Sequence, residues 1–294
     1  MHRTVLLQEV ISALAVSAGE VFVDGTIGNG GHALPIARSA SGAMTLIGID
    51  ADEDALARTK AACGAAGIEA HLFRENFRNI DTVLAAAGIA KANAILFDLG
   101  FSTEELMESG RGFSFNKNEP LLMTFQKEGA AFTARDVVNL WSEENLTLIL
   151  SGFGEERYAR RIAHAIVAAR RAKPIETSGE LAALVRAALP PSARRSAIHP
   201  ATKTFQAIRV AVNDERGALT EGLRKALTVL APGGRIVVIS FHSGEDRIVK
   251  RIFKEAEKNG AGNTNKKPII PSREEVRTNP RARSARLRIF KKSS

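Results

Sequence analysis

Val21-Phe22-Val23-Asp24-Gly25-Thr26-Ile27-Gly28-Asn29-Gly30-Gly31-His32 is a short β-branched run that ends in an acid, turns through four glycines and leads into a helical pattern. A strand, a glycine-rich turn and a helix bring backbone N–H groups and a helix N-terminus against a ligand. Glycine suits that turn because a Cβ would block positive φ values and close approach. Thr45-Leu46-Ile47-Gly48-Ile49-Asp50 is a second strand ending in a carboxylate. It follows the turn by about 20 residues, where nucleotide-binding folds place the acid that accepts ribose hydroxyls. Such turns also serve as plain strand–helix connections, so the glycines carry weight only together with Asp50. The pair points to a nucleoside-type cofactor.

Outward from that stretch, apolar runs at 69–73, 93–98 and 235–240 continue the strand series, with a last one near 286–290. Helical patterns at Glu53–Ala66 and Asn79–Ala87 separate the first four strands. Strict alternation of this kind predicts a parallel, doubly wound α/β sheet. The chain from Asp98 to Arg235 is too long for a loop. It reads as helices at Thr133–Leu140, Ser142–Leu150, Glu155–Ala172, Ser178–Leu189 and His199–Asn213, then Leu219–Leu230 returning to the sheet. Thr177-Ser178-Gly179-Glu180 is a capping box, and Pro200 suits a first helical turn. The predicted domains are therefore 1–103 with 214–294, and a helical insertion at 104–213 above the carboxyl ends of the strands. Asn259–Asn265 reads as a mobile loop.

The chain of 294 residues has a mean hydropathy of -0.07. No apolar run reaches the ~18 residues of a membrane span, and the N-terminus lacks the features of a secretory or transit segment. Cys63 is the only cysteine, which excludes an internal disulfide and a cysteine-built zinc site. The expected compartment is the cytoplasm, with no membrane partner. The net charge of +9 is concentrated: Arg247–Ser294 holds fifteen Lys/Arg against four Asp/Glu. A basic C-terminal quarter suits a polyanion, nucleic acid first.

Asn93-Ala94-Ile95-Leu96-Phe97-Asp98-Leu99-Gly100-Phe101-Ser102 delivers a third carboxylate to a strand end. Ligands of open α/β sheets bind at those ends, so Asp50 and Asp98 are candidate ligand contacts. Asp24 is balanced between that role and a helix cap. Phe77, after the third strand, is placed to pack on a purine or within the core. In the segment His199–Asn213, Phe205, Ile208 and Val212 form an apolar stripe. Gln206, Arg209 and Asn213 fall on another face, where three planar polar groups suit a base or phosphate. Ser240-Phe241-His242-Ser243 ends a strand in a polar cluster, with no partner residues for a metal.

Together, Asp24–His32, Asp98–Ser102, Gly110–Phe115, Gly154–Arg157, His199–Asn213, Ser240–Arg251 and Asn279–Ser284 resemble the RsmH (MraW) family, in the family's order and nearly end to end. The resemblance implies a class I methyltransferase (Rossmann-like) sheet carrying a helical substrate domain. It also implies an S-adenosyl-L-methionine-dependent enzyme that methylates the exocyclic N4 of a cytosine in the decoding region of 16S rRNA, within the small ribosomal subunit. Carried over by motif position, it implies cofactor contacts at Gly30, Gly31, His32, Asp50, Phe77, Asp98 and Glu105. Glu105 stands where the family often has glutamine. Asn118-Glu119-Pro120-Leu121-Leu122-Met123-Thr124-Phe125 departs from the family's Asp-Gly-Pro-Leu-Asp-Met-Arg-Met, so an acid and an arginine are missing at positions 122 and 124.

Methylation at a ring carbon needs an attacking thiolate, and Cys63 lies in a helical stretch away from every strand end. An exocyclic amine needs none; it must be oriented and its N–H accepted by a base. Asp98, or the backbone carbonyls beside it, is the expected acceptor, with His242 or Ser240 helping to position the base. The base must leave its stack, which is easiest in single-stranded RNA. A nicotinamide-dependent oxidoreductase shares the turn and Asp50 but explains neither the insertion nor the basic C-terminus. A non-catalytic RNA-binding assembly factor with a relic pocket is the other alternative, on the strength of positions 118–125. The oligomeric state is open, a homodimer included.

Overall fold

Alternate side chains of the apolar strands point to opposite faces, and both faces are buried, which accounts for near-continuous runs of Val, Ile and Leu. The computed structural model describes residues 4–40, 42–100, 109–125, 129–194 and 199–294. Glu105 lies outside them. The chain divides into two compact units, Met1–Gly100 with Arg216–Ser294, and Phe101–Glu215.

The first unit holds a seven-stranded sheet: β1 (Val21–Asp24), β2 (Thr45–Asp50), β3 (Ala70–Arg74), β4 (Ala92–Asp98), β5 (Leu230–Ser240), β6 (Gly262–Thr264) and β7 (Arg286–Lys292). The order is β3-β2-β1-β4-β5-β7-β6. The five strands β1 to β5 are parallel, whereas β7 runs antiparallel between β5 and β6. The expectation of an all-parallel sheet is thus corrected at one edge, and the expected loop at Asn259–Asn265 contains β6. That three-residue strand has almost no propensity of its own and exists through pairing with β7. The order reverses between β1 and β4, the switch point at which such sheets open a ligand crevice.

One face of the sheet carries Val23, Ile47, Ile95, Phe97 and Val238, covered by α4 (Ile80–Ala86), α11 (Glu215–Val229) and α12 (Ser243–Lys258). The other carries Phe22, Leu46, Leu96 and Val237, covered by α1 (Leu7–Leu14), α2 (Ala33–Ser39) and α3 (Glu53–Ala66). Phe22, Phe97, Phe253 and Phe290 are fully buried; truncating any one to alanine costs about 3–5 kcal/mol. Arg235 of β5 ties the end of α1 and the start of β1 to the sheet. Arg235 binds Glu20 through both guanidinium nitrogens at 2.8 Å and donates to the carbonyls of Leu14 (2.7 Å) and Ala15 (2.9 Å).

The second unit is helical: α5 (Ala134–Leu140), α6 (Glu143–Gly152), α7 (Ala159–Ala172), α8 (Ser178–Ala188), the short α9 (Pro191–Arg194) and α10 (Thr202–Val212). Its core includes Val137, Leu146, Ile162, Ile166, Leu181, Phe205 and Ile208. Thr177 and Glu180 form the expected capping box. Pro200 lies in a turn before α10 rather than in its first turn, and α7 starts at Ala159, four residues later than the pattern suggested. Glu155 explains the delay, since its φ of 50 breaks the helical run. Among the described residues no helix is long and apolar enough to cross a membrane.

Candidate functional site

The carboxyl ends of β1, β2 and β4 deliver Asp24, Asp50 and Asp98. Asp24 is 1% exposed and accepts from the Thr26 N–H at 3.1 Å. Burial first, then repulsion from Asp98 and Asp50, pushes its carboxyl up to about 8, so it is protonated at neutral pH. Thr26 links β1 to β4, its hydroxyl accepting the Asp98 N–H at 2.7 Å. Asp50 braces the glycine turn: one oxygen accepts from Gly28 N–H and the other from Asp52 N–H, both at 2.8 Å. Burial raises its carboxyl as well, in spite of those bonds. Gly28 and Gly30 hold φ values of 51 and 75, where a Cβ is strained.

His32 is buried at the start of α2. Its Nε2 meets the Val5 carbonyl at 3.0 Å and its Nδ1 faces Asp98 Oδ2 at 3.4 Å. A carbonyl only accepts, so Nε2 donates to it and Nδ1 is the ring atom that faces Asp98. Asp98 Oδ1 accepts from the Gly100 N–H at 3.2 Å, and the Asp98 side chain is 22% exposed. Phe77 is half-buried in a 3-10 turn after β3, tilted against Phe97 with centroids 5.4 Å apart. It is therefore partly a core residue.

Two expected catalytic groups lie at the end of β5 and just beyond it. Ser240 is 2% exposed, its hydroxyl directed to the Arg286 carbonyl at 3.4 Å. His242 caps α12, with Nδ1 accepting from Glu245 N–H at 3.3 Å and Nε2 lying 2.9 Å from Glu245 Oε1. Glu245 in turn accepts from the N–H groups of Phe241 and His242. Both residues stand where the sequence put them; Ser240 Oγ and His242 Nδ1 stabilise the end of β5 and the start of α12, while the buried Nε2 of His242 makes no hydrogen bond among the described residues. Cys63 is buried and burial raises its thiol, so it is no nucleophile.

The polar face of α10 also receives a correction. Arg209 forms a bidentate pair with Glu215 at 2.8 and 3.1 Å. Asn213 accepts from the Phe125 N–H and donates to the Met123 carbonyl, both at 2.8 Å. These groups are spent inside the helical unit; Gln206 is half-buried, so the face is not a free row of three ligands. The same segment explains the departures at 118–125. Arg111 donates to the carbonyls of Thr124 and Phe125, Met123 N–H donates to the Arg111 carbonyl, and Glu119 accepts from the Gly112 N–H. Gly112 is required there: its φ is 76, and a Cβ would fall 2.4 Å from the Pro120 carbonyl oxygen. Leu122 and Thr124 sit in a strap held mainly through backbone atoms, so losing an acid and an arginine leaves its scaffold intact. His199 stacks on Phe115 at 4.1 Å, and burial with the Arg186 charge lowers its pKa.

The sequence model of the MraW methylase family matches residues 1–293. The chain belongs to the MraW methylase family. Three relatives of this MraW-family chain are each named ribosomal RNA small subunit methyltransferase H. The Paenibacillus sp. (strain JDR-2) protein is 43% identical over 313 residues, covering 99% of both chains. That of Symbiobacterium thermophilum is 45% identical over 303 residues, covering 98% of this chain and 95% of its own. That of Heliobacterium modesticaldum is 44% identical over 308 residues, covering 99% and 98%.

Proposed function

We propose that this MraW-family protein is an S-adenosyl-L-methionine-dependent methyltransferase that acts on the exocyclic N4 of a cytosine in the decoding region of 16S rRNA, in the small ribosomal subunit of the cytoplasm. The observation that carries the choice of cofactor is the convergence of the partly exposed Asp50 and Asp98 on neighbouring strand ends, beside the buried, protonated Asp24. No Lys or Arg is within ion-pair distance of Asp24 or Asp50 among the described residues. Such a crevice attracts a cationic ligand and repels the pyrophosphate of a nicotinamide dinucleotide. The residues fit a sulfonium nucleoside. Asp50 accepts from backbone N–H groups on one side and keeps further acceptor capacity for ribose hydroxyls, while the Gly28–Gly30 turn and Phe77 border the same strand ends. Gly30, Gly31, His32, Asp50, Phe77 and Asp98 are the proposed cofactor contacts. Bound there, the cofactor supplies an electrophilic methyl group.

The protein's own task is to prepare a weak nucleophile. A cytosine amine is delocalised into its ring, so it must be held in line and its hydrogen accepted as the bond forms. Asp98 is the proposed acceptor, being a partly exposed acid whose neighbour Asp50 is committed to bracing the glycine turn. His32 orients its Oδ2 while anchored on the Val5 carbonyl, and Gly100 N–H holds Oδ1. After transfer the nitrogen sheds one proton, which Asp98 takes. Residues 104–213 form the proposed recognition domain; 1–103 with 214–294 form the catalytic one. The names of the relatives and the basic C-terminal quarter support RNA as substrate.

Asp98→Asn tests the assignment. Turnover on small ribosomal subunits falls by about 10²–10⁴-fold, measured by labelled-methyl incorporation. Full turnover with unchanged cofactor affinity overturns the role of Asp98.

A further inference from the structure

Helix α7 carries its cations at the wrong end for stability. Arg157, Arg160, Arg161 and His164 are exposed and spaced i, i+3, i+4, i+7, in and just before the first turns of the helix. The apolar residues Ala159, Ile162, Ala163 and Ile166 turn the other way, into the core. A helix N-terminus is the positive end of the dipole, so cations there are unfavourable, and like charges at these spacings repel. Arg170, at the favourable end, has a structural use, donating to the Val138 carbonyl at 2.7 Å. Arg157, Arg160 and Arg161 have no acidic side chain within ion-pair distance among the described residues.

These side chains line an open groove of about 440 Å³ with Glu143, Tyr158 and His164. Inside it His164 Nδ1 meets Glu143 Oε2 at 3.3 Å, so the groove holds one carboxylate against three guanidinium groups. The groove wall is ordered by its own contacts. Glu156, 8% exposed, accepts the Tyr158 N–H at 2.9 Å, and the Arg157 guanidinium lies 5.8 Å above the Tyr158 ring. Arg171 extends the exposed row, about 16 Å along the axis from Arg160 at 1.5 Å per residue.

We propose that this groove binds the phosphate backbone of the substrate RNA, with Arg157, Arg160 and Arg161 as its phosphate ligands. The inference rests on the rRNA reading above and deepens it, by naming where the helical unit grips the chain. Three guanidinium groups at a helix N-terminus suit an anion, through both charge and geometry. A flexible, evenly charged strand fits an open row better than a single small anion does. The contacts position the RNA without reading its sequence.

The test is equilibrium binding of deproteinised small-subunit rRNA to the full-length protein across a salt series. The triple variant Arg157→Gln, Arg160→Gln, Arg161→Gln is compared with the triple Arg→Lys variant. Three single-strand contacts at about 0.7 each lower the salt slope by about 2, and affinity at 0.15 M salt falls about 50-fold. The lysine variant, which keeps the point charges, retains most of the binding. Cofactor affinity stays unchanged in both; the thermal midpoint is unchanged in the lysine variant and does not fall in the glutamine variant, which sheds the unfavourable helix-end charge. Equal affinity and slope in the glutamine variant overturn the proposal. So does a wild-type protein that binds intact subunits but no naked RNA, which marks an acidic protein as occupant. Wild-type methyl transfer is measured in parallel: its absence, with arginine-dependent RNA binding preserved, defeats the enzymatic reading while the groove stands.

Discussion

Replacing Asp24 by asparagine keeps its shape and removes its titration. In the folded chain burial lifts this carboxyl from 3.8 to about 8. A raised carboxyl makes the native state hold a proton that the unfolded chain has released. Stability therefore falls as pH rises, between about 4 and about 8, and is flat beyond. At about 1.4 kcal/mol per pH unit over some four units, Asp24 penalises the fold by about 6 kcal/mol at pH 8 and by about 4 at pH 7. Asp24→Asn carries no such penalty. Urea unfolding at pH 5, 6, 7 and 8 therefore shows the variant gaining on the parent at every step, with a higher midpoint at pH 7. Asp50, raised by burial too, titrates in both proteins and cancels in the difference. Parallel stability–pH curves for parent and variant would refute the buried, protonated carboxyl.

Three further expectations concern parts of the same account. Because a cation in the crevice favours ionised Asp24, affinity for S-adenosylmethionine over the uncharged-sulfur product S-adenosylhomocysteine rises from pH 6 to 9, by calorimetry; a pH-independent ratio contradicts this. Asn213→Ala strands the Phe125 N–H and the Met123 carbonyl. It destabilises the helical unit by about 2–4 kcal/mol, read as early loss of hydrogen-exchange protection in α10. Arg235→Ala leaves Glu20 without its bidentate partner and α1 without two anchors. Its cost is about 3–5 kcal/mol by urea unfolding, and a change under 1 kcal/mol counts against the tie.

The sheet was legible because each strand of β1, β2, β4 and β5 combines an apolar run with a polar stop, and the glycine turn fixes where β1 ends. Neither α1 nor β6 was read. Helix α1 is short, and Gly262–Thr264 is a strand only through β7. Leu230 joins β5 across an irregularity beside β4 that Pro232-Gly233-Gly234 disguises as a break. In the site, Asp50 and Asp98 were legible from position alone. The protonated state of Asp24 was not, since it depends on burial and on carboxylates brought close from 26 and 74 residues away. Asn213 was misread for a related reason. Helical period shows that it shares a face with Gln206 and Arg209, but not that a strap 90 residues earlier lies against it.

The most direct test of the central claim is mass mapping of small-subunit rRNA after incubation with the protein and labelled S-adenosylmethionine, using subunits from cells that lack this gene. The account predicts one new methyl group on the exocyclic nitrogen of a decoding-region cytosine. Bound cofactor with no methyl transferred, or a methyl placed on a ring carbon, contradicts it.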